Sequence, residues 1–507
     1  MGQRTTVKDA LQAEVPCDMI VCGAIQDVQH ERDYSTLVIN DGSTVTPIHA
    51  RLSRAHMKDG SAISRGSTIQ VHGQVKPLEP SCLDHDNNPA FEIESFSILG
   101  RADPNSYPLS TVHSSPEFLY QNPHLRVRTP QHALLARFRS TVMSALSRFF
   151  DSHPEGPFYQ VHLPLLTWTD CEGGAEVFAT PTQCSKQEGS EMKDTYFDAR
   201  RYLNVSAVFH AEAFVQGLDR IWTLSPCWRA ERTNSPRHLA EFWMLEVAVN
   251  YIDSLEPLYE LLEETIRSIV SHLQDSPAGQ EILAQSDAKS TNLHQRWNQL
   301  LTLNWPRITF ADATRLLKPV RAAKGHHPPT TTSTPQDVTP DEEIYLCEHF
   351  NAPVFLTHFP SQIRLFQAAQ SAKDITEISP GTGFPPSQTT ESFDLLLPGI
   401  GEICSGGLRE HRLDVLIDTM RKKRFLQGQA KGPVPERNAP ADAEPYPYLH
   451  RGEDLKSVEW FADLRRWGTS PHGGFGVGFE RLLQYLTGTD TVKEVVSFPR
   501  YFGVCGC

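Results

Sequence analysis

The stretch RIWTLSPCWRAERTNSPRHLAEFWMLEVAVNYID, from Arg220 to Asp253, consists of two apolar runs that flank a charged loop. Aromatic and β-branched residues dominate both runs, which predicts two antiparallel strands joined as a hairpin. Alternate residues of a strand share a face, so Arg229 and Glu231 are expected to project from one face of the first strand. By the same rule, Phe242 and Glu246 share a face of the second strand.

The loop of this hairpin adds three groups that can carry positive charge, namely Arg232, Arg237 and His238. Guanidinium groups bind phosphate oxygens with two parallel hydrogen bonds, and an aromatic ring beside them suits a flat base. A solvated charged hairpin would show the same composition. The hairpin alone therefore leaves a phosphate site and a plain surface as alternatives.

Two later stretches favour the phosphate site. GGFGVGFERLLQYLTG (473–488) predicts a strand of small residues followed by an amphipathic helix that begins near Arg481, and GEICSGGLREHR (401–412) lies between it and the hairpin. In this order the three stretches resemble motif 2, the active-site strand and motif 3 of the class II aminoacyl-tRNA synthetases of the Asp/Asn/Lys subgroup. The tracts RHLAEFWMLE, GGLREHR and PHGGFG most resemble the asparaginyl branch of bacterial and organellar type.

The resemblance implies an α+β protein in two parts. Short strands separated by turn residues in 1–102 predict a small barrel, which resembles the OB-fold anticodon-binding domain. A linker rich in Pro, Ser and Asn follows at 103–130. A class II catalytic domain, built on an antiparallel sheet flanked by helices, is expected at 131–507, with insertions at about 324–340 and 427–447.

The resemblance also implies site residues for ATP and Mg²⁺. Arg229 and Arg481 are the expected catalytic residues. The implied ATP-binding set is Arg229, Glu231, Arg237, His238, Phe242, Glu402 and Arg481, with Phe242 and Arg481 on either side of the adenine. Glu402 and Ser405 are expected to hold Mg²⁺, because this ion prefers oxygen ligands.

For the amino acid, the resemblance implies Glu172, Ser206 and Arg409 as binding residues. The chain departs from the family pattern in this part. The tract that is usually Ser-Gly-Gln-Leu has Val208 in place of the Gln, and the usual Phe-Tyr-Met reads Phe-Gln-Ala, with Gln367 in place of the Tyr. In the barrel, Thr36 stands where relatives often show a Phe.

The choice between asparagine and aspartate depends on charge. A desolvated carboxylate needs more than one cation around it, and aspartate-specific relatives supply a Lys at the position of Ala211. Without that Lys, asparagine is the expected substrate, so the implied activity is ATP-dependent charging of tRNA(Asn). Two alternatives stay open: an enzyme that adenylates an amino acid for an acceptor other than tRNA, and a non-catalytic regulator.

The bulk composition is compatible with such an enzyme. The chain has 507 residues, 39% of them hydrophobic, a net charge of −14 and no apolar run of membrane-spanning length. Its scattered cysteines favour free thiols. The amphipathic helix expected at 132–150 resembles motif 1 and implies a homodimer. A weak presequence leaves the cytoplasm and the mitochondrial matrix as the expected compartments, and no membrane partner is expected.

Overall fold

The computed structural model describes residues 4–14, 16–53, 63–76, 90–109, 115–168, 176–180, 197, 201–288, 292–302, 304–323, 335–378, 387–426, 446–450 and 453–506. The strands are β1 Arg4–Thr5, β2 Cys17–His30, β3 Tyr34–Asn40, β4 Ile48–Ser53, β5 Thr68–Lys76, β6 Ala90–Gly100, β7 Tyr159–Gln160, β8 Leu166–Thr167, β9 Ala179–Thr180, β10 Arg201–Leu203, β11 Arg220–Trp228, β12 Glu241–Asn250, β13 Arg307–Thr309, β14 Val354–Thr357, β15 Gln370–Asp374, β16 Gln388–Thr390, β17 Ser392–Leu397, β18 Gly401–Arg409 and β19 His472–Gly478.

The helices are α1 Val7–Leu11, α2 Pro116–Gln121, α3 Pro123–Arg126, α4 Pro130–Asp151, α5 Val208–Leu218, α6 Glu256–Asp275, α7 Pro277–Ala288, α8 Leu293–Thr302, α9 Phe310–Ala323, α10 Pro340–Phe350, α11 Ile375–Ile378, α12 Leu413–Lys422, α13 Glu459–Arg466 and α14 Phe479–Thr487. Short 3-10 helices lie at Ser361–Ile363 and Lys456–Val458. The two expected insertions fall largely outside the described residues.

Five N-terminal strands form a closed barrel, as the sequence predicted. They follow the order β2-β3-β4-β6-β5, and β5 pairs again with β2. Side chains such as Val21, Leu37, Ile69 and Phe91 are fully buried inside it. The alternation of apolar and polar residues along each strand therefore provides one filled interior and one outer face.

The larger unit is organised around an eight-stranded sheet with the order β13-β14-β17-β18-β19-β12-β11-β7. The predicted hairpin is present as β11 and β12, which pair from Arg220–Val249 to Trp228–Glu241. β19 lies between β12 and β18 and pairs with both in antiparallel fashion. The three stretches singled out in the sequence are thus neighbours in one sheet, which confirms the predicted α+β class.

One face of this sheet is covered by helices. The predicted amphipathic helix is α4, whose residues Leu134, Phe138 and Val142 are buried in the main core. Phe150 at its end stacks on Trp222 of β11, with ring centroids 5.0 Å apart. The helices pack on one face of the sheet, and the opposite face can therefore form a cleft.

The region expected as a linker contains the two short helices α2 and α3 and a fully buried guanidinium. Arg126 donates hydrogen bonds to the carbonyls of Lys493 and Val496, both at 2.8 Å. The same C-terminal segment contacts the hairpin loop, because Val492 N donates to the carbonyl of Pro236. The ends of the catalytic unit are thereby tied to the loop of the hairpin.

The six cysteines within the described ranges are free thiols. Among the described helices, none combines the length and the apolar character needed to cross a bilayer.

Candidate active site

A cleft lies on the face of the sheet that is opposite the helices. Its floor consists of alternate residues of β12, namely Phe242, Met244 and Glu246, and of the glycine-rich strand β19. The predicted common face of Phe242 and Glu246 is therefore present. A Cβ at Gly474 would lie 2.3 Å from the carbonyl oxygen of Val247, so only glycine allows these strands to approach so closely.

The hairpin delivers Arg229 to one end of the cleft. The expectation that Arg229 and Glu231 both lie on the strand is wrong, because β11 ends at Trp228, one residue before Arg229. The backbone still extends the ladder, since Arg229 N donates to the carbonyl of Ala240 at 3.1 Å. Arg229 Nη1 lies 3.9 Å from a Glu231 oxygen, and its guanidinium carbon lies 5.5 Å from the centroid of the Phe242 ring.

Three charged side chains hold the backbone of Glu402. Arg481 and Arg237 both donate to the Glu402 carbonyl, at 3.0 and 3.3 Å. Glu343 of α10 accepts from the Glu402 N–H at 2.9 Å. Burial raises the pKa of Glu343. Glu343 was not predicted, because nothing in the local sequence of α10 shows that it reaches β18.

Glu402 and Ser405 both line the cleft, although three positions along a regular strand would place them on opposite faces. A shift in the pairing of β17 with β18 resolves this, since Leu396 faces Glu402 and Leu395 faces Cys404. Ile403 is the extra residue of a β-bulge, which restores a common face. The predicted oxygen ligands are therefore brought together.

A second carboxylate lies beside this pair and was missed in the sequence. Asp394 of β17 faces Ser405 in the register, and its Oδ1 is buried without a hydrogen-bond partner among the described residues. Burial, together with the Glu402 carboxylate, raises the pKa of Asp394 to about 7 even though Arg364 lies beside it. An unsatisfied buried carboxylate oxygen next to Glu402 and Ser405 fits a hard divalent cation.

His238 and Arg237 stand on the hairpin loop where the cleft opens. His238 Nε2 lies 3.5 Å from Glu231, and Ser235 hydrogen-bonds its Nδ1. Burial lowers the pKa of His238 despite the carboxylate of Glu231, and the arginines nearby lower it further. Arg232 is exposed and does not line the cleft.

The other end of the cleft is formed by the start of α5. Ser206 lines it, but its hydroxyl donates to Glu246 Oε1 at 2.5 Å. The Glu246 carboxylate also accepts from the Ala207 N–H, at 3.0 and 3.1 Å. A carboxylate at a helix N-terminus is stabilised by the helix dipole. Glu246 therefore caps α5 and orients Ser206.

A buried ion cluster surrounds Arg409 at this end. Glu212 accepts hydrogen bonds from Arg465 and His472, and its Oε1 lies 3.8 Å from Arg409 Nε. Burial alone would raise the pKa of Glu212, yet the cations, Arg465 first, lower it to about 2. Its Oε1 has no hydrogen-bond partner within the described ranges. Sequence reasoning missed Glu212, whose partners are more than 190 residues away.

Two residues that depart from the family pattern, Val208 and Gln367, lie at the same end. They line the cleft together with Ala211 and Arg409. The predicted Glu172 lies outside the described residues.

Comparison with known proteins assigns the family. The model of the class II tRNA synthetases (D, K and N) matches residues 115–501. The chain belongs to this family. An asparagine–tRNA ligase of Oleidesulfovibrio alaskensis is 31% identical over 98% of each chain, and a mitochondrial asparagine–tRNA ligase of Schizosaccharomyces pombe is 30% identical over 95% of this chain and 93% of its own length.

The fold of this class II synthetase is shared with a solved structure. Asparaginyl-tRNA synthetase from Pyrococcus horikoshii, complexed with asparaginyl-adenylate, superposes with a TM-score of 0.77 at 23% identity, and each chain is covered completely.

Proposed function

We propose that this chain is an asparagine–tRNA ligase, which activates asparagine with ATP and transfers the asparaginyl group to tRNA(Asn). The observation that carries the choice of asparagine is the pair formed by Arg409 and buried Glu212 beside Ala211. An arginine whose charge is already balanced by a carboxylate suits a neutral amide better than a second carboxylate. The names of relatives at 30–31% identity support the same substrate.

At the side-chain end, the amide oxygen of asparagine would accept from Arg409. Its NH₂ group would donate to Glu212 Oε1, which accepts no hydrogen bond from the described residues. Aspartate offers only acceptors and would face the ionised Glu212. With aspartate bound, buried groups of the site would stay without hydrogen-bond partners, and this cost would favour asparagine over aspartate. Glu172 and Ser206 are proposed to hold the rest of the amino acid.

In the activation step, a carboxylate oxygen of asparagine attacks the α-phosphorus of ATP. The new C–O–P bond forms while the bond to the bridging oxygen breaks, and pyrophosphate leaves with that electron pair. Arg229 would stabilise charge at the α-phosphate, and Arg481 with His238 would do so at the γ-phosphate. Arg237 and Glu231 would orient these groups.

Phe242 offers a ring face on the cleft floor for adenine, and Arg229 lies over that ring here. We propose that the base enters between Phe242 and Arg481, because a guanidinium stacks favourably on an aromatic face. Glu402 and Ser405, together with Asp394, would hold Mg²⁺. When bound, the ion neutralises charge on the phosphates.

In the transfer step, a ribose hydroxyl of the tRNA attacks the activated carbonyl carbon, and AMP leaves. The barrel would bind the anticodon by stacking bases on aromatic rings. Tyr34 lies on the same face of β3 as Thr36, and Arg51 lies over its ring at 5.3 Å. Tyr34 is therefore an aromatic ring on which a base could stack, close to Thr36, where relatives often show a Phe.

We also propose a homodimer formed through α4 and the edge strand β7. Tyr159 is an exposed aromatic residue of β7, and Leu165 and Leu166, six and seven residues further along the chain, are also exposed. Exposed apolar groups beside an unpaired strand edge favour association. Charging of tRNA places the protein where translation occurs, in the cytoplasm or the mitochondrial matrix.

A second candidate function is adenylation of an amino acid for an acceptor other than tRNA. It is favoured by the departures at Val208, Gln367 and Thr36, which lie where the amino acid or the tRNA would be recognised. The test is ATP–pyrophosphate exchange with each of the twenty amino acids, followed by charging of total tRNA. Exchange with asparagine and charging of tRNA support the ligase. Exchange without charging supports the second candidate, and a preference for aspartate contradicts both the charge argument and the proposed substrate.

A further inference from the structure

Gln367 is a buried polar residue without an assigned role. The residue is 2% exposed, it lines the cleft, and its Oε1 has no hydrogen-bond partner among the described residues. A buried amide oxygen left unsatisfied costs about 1–3 kcal/mol. Such a group is expected to have a partner in the working state of the protein.

The backbone fixes where Gln367 stands. Its carbonyl accepts from Glu410 N at 2.8 Å, and the next residue, Ala368, forms an antiparallel bridge with Arg409. The turn that carries Gln367 is thereby joined to the strand end that carries Arg409. The amide lies at the amino-acid end of the cleft.

Gln367 also lies close to the other departure from the family pattern. Phe366 packs against Phe209 of α5, with ring centroids 5.6 Å apart. Val208 precedes Phe209, Gln367 follows Phe366, and both line the cleft. The two departures are thus adjacent to one aromatic contact. Relative to the family pattern, α5 lacks a side-chain amide at Val208, and the facing turn has an additional one at Gln367.

We infer that Gln367 is a specificity-determining residue that accepts a hydrogen bond from an N–H group of the bound amino acid and replaces the amide lost at Val208. This inference rests on the proposed function. The donor is either the ammonium group or the side-chain amide, and both present N–H to an acceptor. The compensation explains how an apolar residue at position 208 is compatible with a site for a polar substrate.

The test is ATP–pyrophosphate exchange by Gln367→Met, which keeps length and bulk but removes the acceptor. We expect the KM for asparagine to rise roughly tenfold to a hundredfold, with the KM for ATP within twofold of wild type. Val208→Gln introduced into this variant should recover a large part of the loss. Gln362→Met is the matched control, because Gln362 lies on the same segment and is exposed outside the cleft.

These measurements distinguish the two possible hydrogen-bond donors of the amino acid. They also distinguish failure of this inference from failure of the proposed function. A similar rise in KM for asparagine and for aspartate assigns the ammonium group, whereas a rise for asparagine alone assigns the side-chain amide. Thermal unfolding of Gln367→Met should be unchanged or higher, and a lower midpoint with an unchanged KM would indicate a structural role and overturn the inference. A wild type without asparagine-dependent exchange refutes the proposed function instead.

Discussion

The two ends of the cleft satisfy their charges differently. At the nucleotide end, the ion pairs Arg229–Glu231, Arg237–Glu343 and Arg481–Glu402 have nitrogen–oxygen distances of 3.9, 3.5 and 3.6 Å. Their side chains are between 13% and 36% exposed. At the amino-acid end, Glu212 and its partners Arg465 and His472 are at most 2% exposed and are joined by hydrogen bonds.

Because of this difference, mutations at the two ends of the cleft should affect different properties of the protein, ligand binding at one end and stability at the other. Loose, part-exposed ion pairs contribute little to folding, so the arginines could exchange their carboxylate partners for the proposed triphosphate at small cost. A buried cluster is balanced before any ligand arrives, and removing one member leaves an uncompensated charge. Changes at the nucleotide end should therefore reduce activity, whereas changes in the Glu212 cluster should first reduce stability.

The largest expected effect is on stability. Glu212→Gln should lower the free energy of unfolding at pH 7 by about 3–5 kcal/mol, because Arg465 then remains buried without its counter-charge. The folded-state pKa of Glu212 is about 2, below its usual 4.5, so the stabilisation is present above pH 4.5 and is lost as the pH falls towards 2. Urea unfolding at several pH values measures it.

The difference between wild type and Glu212→Gln should narrow as the pH falls below 4.5. Glu117→Gln is the control, since Glu117 is exposed on α2. Equal stability of wild type and Glu212→Gln at pH 7 would remove the distinction between the two ends.

At the nucleotide end, Arg229→Ala should lower the rate of ATP–pyrophosphate exchange by a factor of about 100 to 1,000, since it removes a charged contact to the transition state. Its urea midpoint should stay close to that of the wild type. Arg232→Ala, on the exposed part of the same loop, is the matched control and should retain the rate. A folded Arg229→Ala protein with near-normal exchange would contradict the assignment of the cleft.

Glu402→Gln should raise the Mg²⁺ concentration needed for half-maximal exchange about tenfold, because an ionised oxygen ligand is replaced by a neutral amide. The measurement is a Mg²⁺ titration at saturating asparagine, with Glu348→Gln on the exposed side of α10 as the control. Overlapping titrations of wild type and Glu402→Gln would show that Glu402 has a structural role.

The smallest expected effect is at Val208. Val208→Gln should lower the KM for asparagine by less than tenfold, because Gln367 already supplies one acceptor nearby. Val208→Leu separates hydrogen bonding from bulk and should not lower it. A higher KM in Val208→Gln than in Val208→Leu would show that the position is occupied by apolar packing alone.

Much of the molecule could be predicted from local patterns. The barrel strands and the hairpin follow from the alternation of apolar residues, and α4 from its helical spacing. The cleft residues Arg229, Phe242, Glu402 and Arg481 were found because each stands in a contiguous motif.

The groups that were missed have no local signal. Glu212 meets Arg465 across 253 residues, Glu343 meets Glu402 across 59, and Asp394 meets Ser405 only through strand pairing. Glu402 and Ser405 share a face only because the sheet accommodates a bulge at Ile403.

The sequence by itself determined which segments form strands and helices, because period and turn chemistry act over a few residues. It also determined the family and the cationic character of the hairpin loop. Only the tertiary structure decided which distant charges are buried together and which polar side chains are buried in the cleft. Burial and desolvation depend on the packing of elements that are remote along the chain, and for that reason the Glu212 cluster and the burial of Gln367 emerged only from the fold.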